Sequence, residues 1–175
     1  AHRVNAVVLD KTGTITEGKP AVLAWHWVSQ NPLRQALLFS IESQSEHPLA
    51  DAILRKLEQE GISEKIQLDK FESITGQGVE ATYKGQQYWV GHEKMMEGRG
   101  IVLPDAVKAM AELWREKANT VIYFAGADVG ILAVLAMADP IKPNSPTAVA
   151  QLRAQGIEVY MLTGDNPQTA AAIAQ

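Results

Sequence analysis

Val4-Asn5-Ala6-Val7-Val8-Leu9-Asp10-Lys11-Thr12-Gly13-Thr14 is the stretch that decides how this chain is read. Six mostly apolar residues, three of them valine, read as a fully buried strand. The run then breaks into a carboxylate, a lysine and two hydroxyl residues around a glycine. Open parallel sheets bind ligands outside the carboxyl ends of their strands, which is where Asp10 falls. Lysine and threonine beside it suit a phosphoryl group, and a carboxylate can take one up as a nucleophile. The expectation is a phosphoryl group carried on Asp10.

A second stretch matches the first. Residues 157–162 read as another buried strand and end in Thr163-Gly164-Asp165-Asn166. Pro167 then suits the first turn of a helix over 167–175. If the two strands are neighbours in one parallel sheet, both loops open at the same edge. The Thr163 hydroxyl and Gly164 amide would then bind phosphate oxygens while Asp10 attacks, with Asp165 shaping the site. Thr12 or Thr14 would add a hydroxyl. Phosphoryl transfer needs a hard cation to neutralise charge, so Mg2+ is expected, on Asp10 and the Thr12 carbonyl. Lys11 is the better phosphate candidate of the nearby lysines, and Lys142 is open between a phosphate role and a solvated turn.

Composition bounds the possibilities. The chain has 175 residues, 46% hydrophobic and 21% charged, enough for one large domain or two small ones. A net charge of −4 with no basic tract speaks against nucleic acid as a partner. The absence of cysteine rules out disulfides and thiolate metal sites. No apolar run approaches the roughly 18 residues of a membrane span, and no signal-peptide pattern opens the chain. Both ends look cut, so a piece of a larger protein is expected.

The two ends and the middle differ in pattern. From about residue 131 the chain alternates strand and helix: an apolar strand over 130–136, a helix over 145–155 stopped at Gly156, then the strand over 157–162. The middle offers an alternating strand over 21–28, helices over 32–43, 48–61 and 104–117, and strands over 66–73, 79–83, 87–90 and 120–124. Lys84-Gly85 reads as a tight turn between two of these. That pattern predicts a separate α+β unit over residues 19–136. It would be inserted into a parallel-sheet α/β domain made of residues 1–18 and 137–175.

Asp10-Lys11-Thr12-Gly13-Thr14 resembles the phosphorylation motif of P-type ATPases, and the likeness runs from end to end. Thr163-Gly164-Asp165 and Asp139-Pro140 match two further motifs of that family. Ser45-Glu46-His47-Pro48-Leu49 resembles the signature of its heavy-metal branch, and Gly76-Gln77-Gly78 the nucleotide loop of that branch. The resemblance implies an incomplete Rossmann-like, haloacid-dehalogenase-like phosphorylation domain with an inserted nucleotide-binding domain, an antiparallel sheet flanked by helices. It also implies ATP and Mg2+ as cofactors. Glu42, His47, Gly76 and Gly78 would hold adenosine. The family commonly has Asn where this chain has His92, which could hydrogen-bond ribose or phosphate or could simply be exposed. The implied whole is a cation pump, Cu+ most of all, with membrane and actuator domains absent here. The chain would be the cytoplasmic part of that integral membrane protein, binding no transported ion and turning over little alone. Soluble aspartyl phosphatases resemble the first motif too, but usually carry a second Asp where this chain has Thr12. Threonine cannot serve as the general acid or base, so a phosphoenzyme should last longer here. A soluble phosphatase, or a nucleotide-binding module without turnover, are the alternatives.

Physical reasons for the adenosine site run beside that likeness. Pro48 is well placed to start a helix and Ser45 to cap it, which puts His47 at a helix N-terminus. A neutral imidazole there can stack on adenine. Glu42, near the end of the preceding helix, could accept from the adenine amino group. Gly76 and Gly78 allow backbone to approach a ligand. No Gly-x-x-x-x-Gly-Lys-Ser/Thr loop is present, so adenosine contacts should lead over triphosphate contacts. Trp25 and Trp27 are expected to pack, His26 to be exposed, and the adjacent Met95 and Met96 to divide between core and surface.

Overall fold

The computed structural model describes residues 4–162. Two sheets organise them. One is antiparallel, six strands in the order β2-β7-β6-β5-β4-β3. Its strands are β2 (Ala21–Trp27), β3 (Lys70–Ile74), β4 (Gly78–Tyr83), β5 (Gln86–Gly91), β6 (Thr120–Gly126) and β7 (Gly130–Ala138). The other is a parallel pair, β1 (Ala6–Asp10) with β8 (Glu158–Leu162), in which Asp10 lies opposite Leu162. The helices are α1 (Pro32–Glu42), α2 (Pro48–Gln59), α3 (Glu93–Gly98), α4 (Asp105–Glu116) and α5 (Ser145–Ala154).

The large sheet is covered on both faces. Along β6 the side chains alternate between two cores: Ile122 and Phe124 join Leu37, Leu38, Ile41 and Ile53 of α1 and α2. Val121 and Tyr123 join Met95, Met96, Val107 and Ala111 of α3 and α4. That explains why the central strands β6 and β7 read as continuous apolar runs rather than alternating ones. Each fully buried Leu or Ile contributes about 2 kcal/mol of burial free energy. Prolines at the start of α1 and α2 fit their first turns. Asn31 caps α1, accepting from the Arg34 amide at 2.8 Å. The Lys84-Gly85 turn joins β4 to β5 with φ of 50° and 76°, as a tight hairpin requires.

Several expectations are corrected. The strand over 4–9 is not fully buried. Val4 and Val8 are exposed, as are Tyr160 and Leu162 on β8, because among the described residues this sheet has only two strands, with α5 against β8. The apolar segment over 130–136 is not part of the parallel sheet. It is the body of β7, hydrogen-bonded between β2 and β6, and runs on to Ala138. The strand expected over 66–73 begins only at Lys70. Met95 and Met96 do not divide between core and surface, since both are buried. The short helix α3 lies against β5 and β6 while the following chain folds back, Ile101 N–H donating to the Met96 carbonyl, so the two adjacent methionines are both covered and Lys94 and Glu97 are left outside. Trp25 and Trp27 do pack edge to face at 5.7 Å, and His26 is exposed. The helix expected over 167–175 lies outside the described residues. Among the described residues no helix is long and apolar enough to cross a membrane.

Candidate functional site

The parallel pair delivers Asp10 to the end of β1, exposed. The chain then makes a tight loop over Lys11–Ile15, with Thr12 extended and Gly13 left-handed at φ 77°. Glycine is needed at such a φ. Thr16 anchors the loop. It is fully buried, its amide donates to the Lys11 carbonyl at 2.9 Å, and its hydroxyl donates to the Asp139 carboxylate at 2.5 Å. The same carboxylate accepts from the Gly18 and Lys19 amides, both at 3.1 Å. Lys142 donates its Nζ to the Gly13 carbonyl at 2.5 Å, so this lysine orders the loop. Glu17 and Lys142 complete the pairing through backbone bonds to Pro140 and Ile15. The Asp139-Pro140 motif is therefore a clasp across the two segments that join the sheets. Thr16 carried no pattern that would have singled it out.

The second cluster lines a pocket of its own, which shares Leu49, Gly76, Gln77 and His92 with the cleft beside the Asp10 loop. Glu42, His47, Gly76, Gly78 and His92 line one pocket of about 320 Å³, with Ile53, Val79, Val90 and Ile122 as apolar floor. His47 is the N-cap of α2, its Nδ1 accepting from the Leu49 amide at 3.2 Å, and Ser45 takes the near-cap place, its Oγ accepting from the His47 amide at 3.3 Å. The capping bond occupies Nδ1 and does not use Nε2. Gly76 sits in the β3–β4 turn at φ 71°, and a Cβ there would meet nothing within 4 Å. Gly78 is different. A Cβ on it would lie 2.1 Å from the Val90 carbonyl, so β5 rather than a ligand demands this glycine. Gly91, its partner across the ladder, was not foreseen as a site residue and lines the same pocket.

Charge in the pocket is scarce. Glu42 is 4% exposed at the last turn of α1, and burial pushes its carboxyl up to about 8. Burial, and then the neighbouring His47, hold the His92 imidazole below its usual range. His92 caps α3 with its backbone only, so its ring is free of capping bonds.

Between the two clusters runs an open cleft of about 1230 Å³. Lys11, Thr12, Gly76, Gln77 and His92 all line it, as do Lys94, Arg115 and Lys117. Arg115 is tied to Glu93 and donates to the Tyr123 hydroxyl at 2.9 Å. Among the described residues no three His, Cys, Asp or Glu side chains converge as a metal group. The Asp10 carboxylate and Thr12 offer hard oxygens at the strand end, a set that fits a Mg2+ ion retaining several waters. Thr163, Gly164 and Asp165 lie outside the described residues.

Comparison with known proteins bears on this arrangement. A family model described as haloacid dehalogenase-like hydrolase matches residues 4–175. The probable copper-transporting ATPase PacS of Synechocystis sp. is 38% identical over 99% of this chain and 24% of its own length. The copper-exporting P-type ATPase of Staphylococcus epidermidis is 40% identical over all of this chain and 21% of its own length. A crystal structure of a zinc-transporting PIB-type ATPase in its E2.Pi state matches 98% of this chain and 28% of that one, at 31% identity and a TM-score of 0.78. The chain thus spans about a quarter of the length of the proteins it is similar to. With the whole of residues 4–175 covered by its model, the chain belongs to the haloacid dehalogenase-like hydrolase family.

Proposed function

We propose that this chain is the nucleotide-binding and phosphorylation region of a heavy-metal P-type ATPase, with ATP and Mg2+ as cofactors and Cu+ as the transported ion. The observation that carries the reading is a cleft lined both by Lys11 and Thr12 of the Asp10 loop and by Gly76, Gln77 and His92, which also line the Glu42/His47 pocket. In this reading residues 19–136 form the nucleotide-binding unit and residues 1–18 and 137–175 the phosphorylation unit. The copper-transporting relatives support the choice of ion. The chain is then the cytoplasmic part of a membrane protein whose membrane and actuator domains are its partners.

The adenosine end holds the base between apolar floor and the His47 ring, with Gly76 admitting the ligand to its backbone. Lys94, Arg115 and Lys117 offer positive charge along the cleft towards Asp10. An Asp10 oxygen attacks the γ-phosphorus of ATP, the bond to the β-bridging oxygen breaks, and ADP leaves. Lys11 faces the transferred group, with Thr163, Gly164 and Asp165 as its further contacts. Mg2+, on Asp10 and the Thr12 carbonyl, would neutralise charge on the phosphoryl oxygens. Thr12 supplies no general base, so the acyl phosphate is slow to hydrolyse. The phosphatase reading needs that base and finds none at position 12.

Calorimetric titration of ATP and GTP into the chain and into His47→Gln tests the proposal. Micromolar-to-millimolar ATP binding, weaker for GTP and weaker again in the variant, is expected. Binding indifferent to base and to His47 would overturn the adenosine pocket. Fast turnover of a generic aryl phosphate would move the soluble phosphatase to the front.

A further inference from the structure

We infer that Glu42 reads the adenine base as a neutral carboxylic acid, so that ATP binding and its preference over GTP are lost together when this one proton leaves. The inference rests on the adenosine reading of the pocket and adds what that reading leaves open, the state of its only acidic group.

The geometry comes first. Glu42 is nine-tenths buried and lines the pocket. Among the described residues no hydrogen bond or ion pair to its carboxyl is formed. It is the last residue of α1, where the helix's negative pole disfavours a carboxylate. The elements around it bring no cation to offset this. From α2, Arg55 reaches the Pro20 carbonyl and Lys56 pairs with Glu60. From β4, Glu80 is engaged by Trp89 and Arg99 on the other face of the sheet. β3, β5 and β6 contribute only uncharged residues to the pocket. Its other titratable groups are His47, whose Nδ1 accepts a capping bond, and His92, held towards its neutral form. Burial holding the Glu42 proton up to about pH 8 agrees with all of this.

Chemistry then decides what such a group can recognise. An ionised carboxylate offers acceptors only. Adenine presents an acceptor at N1 beside a donor at N6. A carboxylate would satisfy N6 and set its second oxygen against the N1 lone pair. Guanine presents two adjacent donors, N1–H and N2–H, which a carboxylate suits. A protonated acid has one donor and one acceptor, the pattern that completes N1 and N6 together. The proton is therefore what makes a buried glutamate compatible with adenine, and its loss turns the pocket towards guanine.

Glu42→Gln keeps a donor and an acceptor but cannot ionise. ATP and GTP are titrated calorimetrically into the native chain and this variant at pH 7, 8.5 and 9. For binding that requires a proton held to about pH 8, ATP affinity falls about tenfold between pH 7 and 9, and binding at pH 8.5 takes up about three quarters of a proton from the buffer. GTP affinity does not fall in parallel, so the ATP-to-GTP ratio narrows. Glu42→Gln, whatever its affinity at pH 7, should show no fall in ATP affinity from pH 7 to pH 9. A flat native profile, no proton uptake, or an equal fall in both proteins overturns the protonated acid while leaving the pocket standing. Absence of ATP binding to either protein at pH 7 overturns the pocket reading and this inference with it. Proton uptake is read on the native chain alone, so a variant that fails to fold does not remove the test.

Discussion

Replacing Thr16 by valine tests whether a single hydroxyl holds the junction between the two sheets. Valine matches threonine in shape, so the change removes the polar group and little else. Thr16 is fully buried, and its hydroxyl donates to the Asp139 carboxylate at 2.5 Å while accepting the Gly13 amide at 3.3 Å. A hydrogen bond to a charged acceptor contributes about 1.5–3 kcal/mol, and the long Gly13 contact adds little. The local cost should be about 2 kcal/mol, or roughly 30-fold in an opening equilibrium. Native-state hydrogen exchange reads this at the Gly18 and Lys19 amides, which donate to the same carboxylate, and at the Glu17 and Lys142 amides across the junction. Their exchange should speed up about 30-fold while amides of the β6–β7 ladder hold their rates. Asp139→Asn should act on the same amides in the same direction. Unchanged exchange at Gly18 and Lys19 would refute the reasoning and leave the backbone pairs as the clasp. So would an equal acceleration throughout the large sheet.

Two other outcomes follow from the pocket. Glu42 ordinarily ionises at 4.5 and is held to about 8 by burial, so between these values the unfolded chain has released a proton that the native chain keeps. Stability therefore falls as pH rises through that window, by about 3 kcal/mol at pH 7, and denaturant titrations at pH 5 and 7 should show Glu42→Gln escaping the fall. Gly78→Ala should cost several kcal/mol, at least about 3, because its Cβ meets backbone at 2.1 Å, whereas Gly76→Ala costs about 1–2 kcal/mol of φ strain alone. Equal midpoints for the two glycine variants in chemical denaturation would contradict that order.

Much of this was legible in the sequence, for reasons that can be named. The Asp10 loop stands out because an apolar strand ends abruptly in polar residues. The prolines at 32 and 48 mark helix starts, and Lys84-Gly85 marks a hairpin, because each residue narrows backbone choice locally. What local pattern does not carry is the number of neighbours. Val8 looks buried from its sequence, yet exposure depends on how many strands flank β1. β7 looks like a strand of a parallel sheet because both of its faces are covered, and the covering comes from helices distant in sequence. Met95 and Met96 defeat the helical-face argument because the sheet lies against α3 and the chain folds back over it at Ile101. Glu42, His47, Gly76, Gly78 and His92 do line one pocket. Thr16 and Gly91 were missed, since a lone threonine and a glycine at a strand end carry no signal until their partners across the chain are known.

The two segments that join the sheets, residues 16–19 and 138–142, run side by side and are stitched by backbone bonds and by Asp139. A pair of strands bound edge to edge behaves as a ribbon, stiff within its own plane and compliant out of it. A single tether would let the two parts swivel in every direction. The ribbon narrows the directions in which the two parts can swing, so under the proposed function a nucleotide held at the Glu42 pocket would approach Asp10 along a restricted path. In the proposed reaction the doubled connection would act as a mechanical guide, limiting the approach to the narrow alignment an in-line displacement needs.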